Sequence, residues 1–332
     1  MSSAAALTGN TRRMLAVVVL VPVLTALALW AFAWPAARTA PRDLPLGVAG
    51  PAAATAQVER ELAEHEGAFE IHRYADEAAA RAAVKDRTVY GAVVVTADGP
   101  ELLTASAASP VVAQLLQQAA AGDGRTRTVD VVAAPASDPR GAALTAGVLP
   151  LALAGLAAGA MVTLGGLRGT RAAAALLGAS ALVGLVGAGI ADTWLGVIAG
   201  NWWAEAGVFA LTTLSVSGAA AGLAALVGTA GTGIVAAAVM LVGNPFSGAA
   251  SAPRMLPEPA GTIGQWLPPG AGTTLMRSVA YFDGAAALGP ALTLTWWAAL
   301  GLGAVLLGKV LKERRRTPVP TPARKPEPEP VG

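Results

Sequence analysis

Residues 303–309 read G-x-x-x-x-G-K, the opening of a phosphate-binding loop, but Val310 stands where a Ser or Thr would hold magnesium. They also lie in an apolar run, whereas such a loop joins a strand to a soluble helix. Gly231-Thr232-Gly233 imitates a dinucleotide fingerprint with neither an acidic partner nor a soluble helix after it, and 39 glycines make such spellings common by chance. The chain has no cysteine, which removes disulfides, thiolate catalysis and Cys-ligated metal. His65 and His72 cannot complete a metal site by themselves, and no Ser/His/Asp constellation can be defended. We therefore expect no catalytic residue, no cofactor, no metal and no nucleic-acid partner.

The polar residues that remain sit where apolar runs break. Asn244, Arg254, Gln265, Trp266 and Arg277 fall in or beside a Pro/Gly-rich stretch and mark the expected cargo path. Asn244 reads as a helix-end cap or interhelical hydrogen bond. Arg254 and Arg277 with Glu258 and Asp283 read as loop salt bridges or solvated charges, with an acidic-headgroup site as the alternative. Arg168 and Arg171 are the candidate contacts for a cytoplasmic partner. Glu59, Glu61, Glu64, His65 and Glu66 read as a solvated helix face.

The elements carrying these residues are mostly greasy. The 332 residues are 54% hydrophobic and 13% charged, the balance of an integral membrane protein. Between residues 144 and 248 the only ionisable side chains are Arg168, Arg171, Asp192 and Glu205. They leave apolar runs at about 144–167, 172–191, 206–227 and 229–248, each near the ~20 residues a helix needs to cross ~30 Å of hydrocarbon. None shows the polar stripe of a soluble core helix. Runs at 14–34 and 291–308 bring the expected count to six, the first read as an uncleaved helix kinked at Pro22 rather than a signal peptide. The spans hold no charged side chain away from their ends, which argues against a self-powered pump. Gly155 with Gly159, and Gly218 with Gly222, stand four apart and predict close helix approach within one subunit, or a dimer seam.

Residues 35–143 change character. Strand-like runs at 44–48, 68–74, 89–96, 101–105 and 128–133 alternate with helical patterns at 52–66, 76–85 and 110–121, a small α/β unit of about a hundred residues. The expected fold class is thus an α-helical polytopic membrane protein of six transmembrane helices with an inserted small α/β extracytoplasmic domain. In chain order it has a cytoplasmic N-terminus at 1–13, helix 1 at 14–34, the α/β domain at 35–143 and helices 2–5 at 144–249. An outer re-entrant or interfacial hairpin at 250–290 follows, then helix 6 at 291–308 and a basic, Pro-rich cytoplasmic tail at 309–332. Within the hairpin, helical segments at 260–267 and 272–282 are separated by Pro268-Pro269-Gly270. With both termini cytoplasmic in the plasma membrane, Arg12, Arg13, Arg168, Arg171 and the basic residues of 309–316 share the inner side. All eight tryptophans then fall near the outer face.

This order of parts resembles the type-2 ABC exporter permeases, and within them the branch that includes the phage infection protein (YhgE/Pip) and related actinobacterial membrane proteins. The residues that carry the likeness are DRTVYGAVVV at 86–95, and GNPFSGAASAPRMLPEP with LPPGAGTTLMRSVAYFDG within 243–284. The resemblance implies export of a hydrophobic or amphipathic molecule by a homodimer or heterodimer coupled to a separate cytoplasmic ATPase. Residues 165–171 form a tight turn where such permeases carry a coupling helix, and residues 1–13 are short, so an ATPase would have little to grip beyond Arg168 and Arg171. The alternative is a non-transporting envelope protein whose outer domain binds a partner, wall polymer or lipid.

Overall fold

The computed structural model describes residues 9–121 and 126–316; residues 1–8 and the Pro-Glu-Pro part of the tail lie outside the described residues. Helix α1 (Gly9–Ala37) is apolar over most of its surface and packs on the rest of the chain only near its end, where Ala31 and Pro35 are buried. There the Trp34 ring meets Phe246 edge-on at 6.1 Å.

A five-stranded sheet follows. Strands β1 (Leu44–Ala49), β2 (Phe69–Tyr74), β3 (Gly91–Thr96), β4 (Gly99–Thr104) and β5 (Arg127–Asp130) lie in the order β2-β1-β3-β4-β5. β1 pairs parallel with β2 and β3, while β3 and β4 form an antiparallel hairpin closed at Gly99. Helices α2 (Ala52–Ala63), α3 (Glu77–Lys85) and α4 (Pro110–Ala121) make the crossovers that parallel strands require. Asp76 starts α3 by accepting from the Ala79 amide at 2.8 Å. Leu44, Leu46, Leu102, Val112 and Leu116 fill one side of the sheet together with Ala252 and Met255 from far along the chain. Phe282 joins the core on the other side with Val84, Val94 and Leu103.

The helical bundle is built round α7 (Trp202–Val227), flanked by α5 (Ala142–Leu164), α6 (Gly169–Ala188) and α11 (Leu288–Arg316). Small residues let the backbones close in. A Cβ on Gly155 would sit 2.7 Å from the Val216 Cβ, one on Gly159 2.8 Å from the Ala220 Cβ, and one on Gly301 2.2 Å from the Gly218 backbone. Both glycine pairs singled out in the sequence therefore work inside the subunit, where packing rather than water drives association.

Among the described residues five helices are long and apolar enough to cross a membrane: Asn10–Ala37, Ala142–Leu164, Gly169–Trp194, Trp202–Val227 and Leu288–Gly308. The span expected at 229–248 differs. Helix α8 (Ala230–Ala238) has nine residues and continues through a five-residue π-helical turn, Val239–Gly243, before the chain breaks. At 1.5 Å per residue this covers about 20 Å, short of the ~30 Å hydrocarbon. Its companion is a helical hairpin, α9 (Ala260–Trp266) and α10 (Pro268–Tyr281). The break between them is Leu267 alone, and Pro268-Pro269 open α10 instead of separating the two helices. Proline suits a first helical turn, since its fixed φ is already helical and its missing N–H would have had no partner.

Candidate functional site

Helix α10 runs beside α7 with Gly272 facing Thr212, about 15 Å along α7 from its start at Trp202, and the end of α8 meets Pro269 through Gly243. The tip of the hairpin thus meets the end of the short helix. Residues 244–252 are irregular, and irregular backbone packed among apolar helices survives only if its polar groups find partners. They do. Gln265 Nε2 donates to the Ser247 carbonyl at 3.0 Å, and Arg277 Nη2 donates to the Ala249 carbonyl at 2.6 Å. Thr145 Oγ1 adds a second bond to that carbonyl at 2.9 Å. A Cβ at Gly264 would stand 1.6 Å from the Phe246 oxygen, so only glycine lets α9 lie against this segment.

Between the hairpin and the bundle lies a cavity of about 80 Å³, lined by Leu144, Val148 and Leu151 of α5, Phe209 and Thr212 of α7, Met276 of α10 and further apolar groups. The Thr273 hydroxyl on its wall already donates to the Pro269 carbonyl at 2.8 Å. Such a lining suits an apolar chain or ring and offers no charge to a polar ligand.

The sequence-predicted residues divide. Gln265 and Arg277 converge on the 247–249 segment, and the Thr274 hydroxyl holds Gln265 Oε1 at 2.7 Å. Asn244 follows the π-helical turn at its C-terminal cap position, a helix-end role. Trp266 is exposed, and its carbonyl accepts from Trp297 Nε1 at 2.8 Å. Arg254 is exposed. Arg168 and Arg171 are exposed at the turn between α5 and α6, at the bundle end remote from the sheet.

Arg277 overturns its expected role. It is 4% exposed, and among the described residues it forms no ion pair with Glu258 or Asp283, so it is neither a loop salt bridge nor a solvated charge. Carbonyls of the broken segment take the place of a carboxylate. Burial, with the neighbouring Arg87 charge, pushes its guanidinium down to about 10, which leaves it cationic at neutral pH.

Four other residues matter that the sequence reading did not mark. Arg87, in the loop between α3 and β3, donates to the Thr274 carbonyl at 3.0 Å and to the Ser278 hydroxyl, with its guanidinium 5.2 Å from the Phe282 ring centre. It fastens the sheet to α10. Asp138 caps α5, accepting from the Ala142 and Ala143 amides at 2.8 Å each. Tyr281 donates to the Val197 carbonyl at 2.6 Å. Glu205, read only as a divider between apolar runs, is fully buried at the start of α7; Oε1 accepts from the Gly200 amide at 2.7 Å and Oε2 has no partner. Arg87 lies inside the DRTVYG stretch, but nothing local to that stretch announces partners almost two hundred residues away.

The two motif lookalikes are placed as well. Residues 303–309 are helical throughout within α11, and Gly231-Thr232-Gly233 lies in α8. Among the described residues no group of three or more His, Asp or Glu could hold a metal ion.

Residues 12–149 match the family described as ABC-2 family transporter protein. The match runs from the start of α1 through the sheet to the first turns of α5, under half of the chain, and it supports the type-2 ABC permease superfamily. No curated protein and no solved structure matches the chain. The apolar helices and this match together support a multi-pass membrane protein.

Proposed function

We propose that the protein is the membrane subunit of an ABC-type exporter for a hydrophobic or amphipathic cargo, working as a dimer with a separate cytoplasmic ATPase. The observation that carries the reading is the match of α1 and the sheet to the ABC-2 transporter family. It favours transport over an envelope protein that only binds a partner, wall polymer or lipid. The hairpin packed on α7, with an apolar cavity beside it, supports a path for an apolar molecule. We further assign the chain to the YhgE/Pip-like branch, because the stretches 86–95 and 243–284 that carry that resemblance meet through Arg87, Thr274 and Ser278.

In this reading the chain crosses the membrane six times, α8 completing its passage with the hairpin tip, and both termini are cytoplasmic. The sheet and hairpin face outward, and Arg168 and Arg171 face the ATPase. Inside-out membrane vesicles from cells expressing the protein together with a candidate cytoplasmic ATPase should accumulate a fluorescent amphiphile only with hydrolysable nucleotide. Arg168→Glu with Arg171→Glu should reduce that accumulation at least fivefold at equal protein level. Absence of any nucleotide-dependent movement, together with repeated failure to recover an ATPase after mild crosslinking, would remove the transport reading.

A further inference from the structure

Five arginines gather where α1 gives way to the sheet. Arg38 is the first residue past α1. The Arg42 amide donates to the Arg254 carbonyl at 2.9 Å, and its guanidinium donates to the Met255 carbonyl at 2.9 Å and the Arg38 carbonyl at 2.7 Å. Arg38, Arg42 and Arg254 are thereby held as one rim, with the Arg38 and Arg254 side chains exposed. Behind the rim lie Arg87 and Arg277, and the charges of Arg87, Arg254 and Arg277 all act on the Tyr90 hydroxyl.

Cations gathered in a partly dry place ordinarily bring carboxylates with them, since uncompensated charge away from water is costly. Here they do not. Asp43, Asp86, Glu258 and Asp283 are the acidic residues nearest along the chain; all are exposed, and among the described residues none pairs with any of the five arginines. Glu258 accepts instead from Thr262, and Asp138 is taken up in capping α5.

The depth of the cluster is also defined. It begins one turn beyond Trp34, which stacks on Trp30 with ring centres 5.2 Å apart, and indoles favour the headgroup layer. We propose that this seam holds the phosphate of an anionic phospholipid from the leaflet that adjoins the sheet. Guanidinium forks match phosphate oxygens two at a time, and basic recesses between membrane elements suit acidic headgroups. The inference rests on membrane placement, not on transport or on an ATPase.

The test uses the full chain in mild detergent, with native mass spectrometry reading retention of phosphatidylglycerol against phosphatidylcholine. The wild type should prefer phosphatidylglycerol. Arg38→Gln with Arg254→Gln, both exposed and so compatible with folding, should cut that preference about tenfold, while Arg60→Gln on α2 leaves it unchanged. Equal preference in wild type and double variant, or an equal loss in the Arg60 control, would overturn the site. Inorganic phosphate that binds with the same sensitivity to the double variant, with no lipid discrimination, would overturn its assignment to a lipid.

Discussion

The sheet and the helical bundle hold together by different means. In the sheet, Leu44, Leu46, Leu102 and Leu103 are almost wholly buried, and α2, α3 and α4 shield them from water in the ordinary way. In the bundle glycines lie close against opposing backbones, at Gly184, Gly222 and Gly301, while many leucines face outward. Lipid tails are as apolar as leucine, so burying leucine gains little there and intimate backbone contact takes over. The hairpin joins the two regimes, contributing Met255 and Phe282 to the sheet's core and Gly264 and Gly272 to the close packing below.

The sharpest break in this comparison is Gly264→Val. With its Cβ required to occupy the place of the Phe246 oxygen, the hairpin must detach, at a cost of about 3 kcal/mol. Fluorescence-detected size exclusion should show little monodisperse protein. Leu103→Ala should cost a similar or slightly smaller ~3 kcal/mol through cavity formation in the sheet. Because its effect is confined to the sheet's core, heating in detergent should lower the first transition while the helical signal persists. Asp138→Ala removes both side-chain bonds at the start of α5 and should cost about 1 kcal/mol, seen as a fall of a few degrees in midpoint.

The smallest effect concerns Glu59 of α2, whose carboxyl is held below its ordinary range by two hydrogen bonds from Arg73 at 2.6 Å each. A carboxylate depressed in the folded state contributes above its unfolded value and loses that contribution as pH falls through the folded one. Any difference between wild type and Glu59→Gln should therefore vanish in acid below the ordinary carboxylate range. A thermal-midpoint series against pH reads it.

How much was legible follows the same division. The strands at 44–48, 68–74 and 89–96, and the helix at 110–121, announced themselves because alternation, caps and turns are local. The sheet order was not legible, since a period of two shows that a strand exists and not which strand lies beside it. The shortness of α8 escaped because the apolar run continues to residue 248 while the helix ends at Gly243, where the hairpin tip meets it. Arg277 was read from its own segment, where acids stand nearby, but its partners are carbonyls 28 and 29 residues back. Burial of a charge is decided by distant chain, and Arg87, with partners 187 and 191 residues away, makes the same point.

The proposed orientation, with sheet and hairpin outward and the α5–α6 turn toward the cytoplasm, is open to a clean measurement because the chain has no cysteine of its own. Asp98→Cys, in the β3–β4 turn, and Arg168→Cys are each treated with a membrane-impermeant maleimide in intact and in lysed cells. Full labelling at 98 in intact cells, and labelling at 168 only after lysis, is the expected outcome. The reverse pattern, or equal labelling of both positions in intact cells, would contradict it.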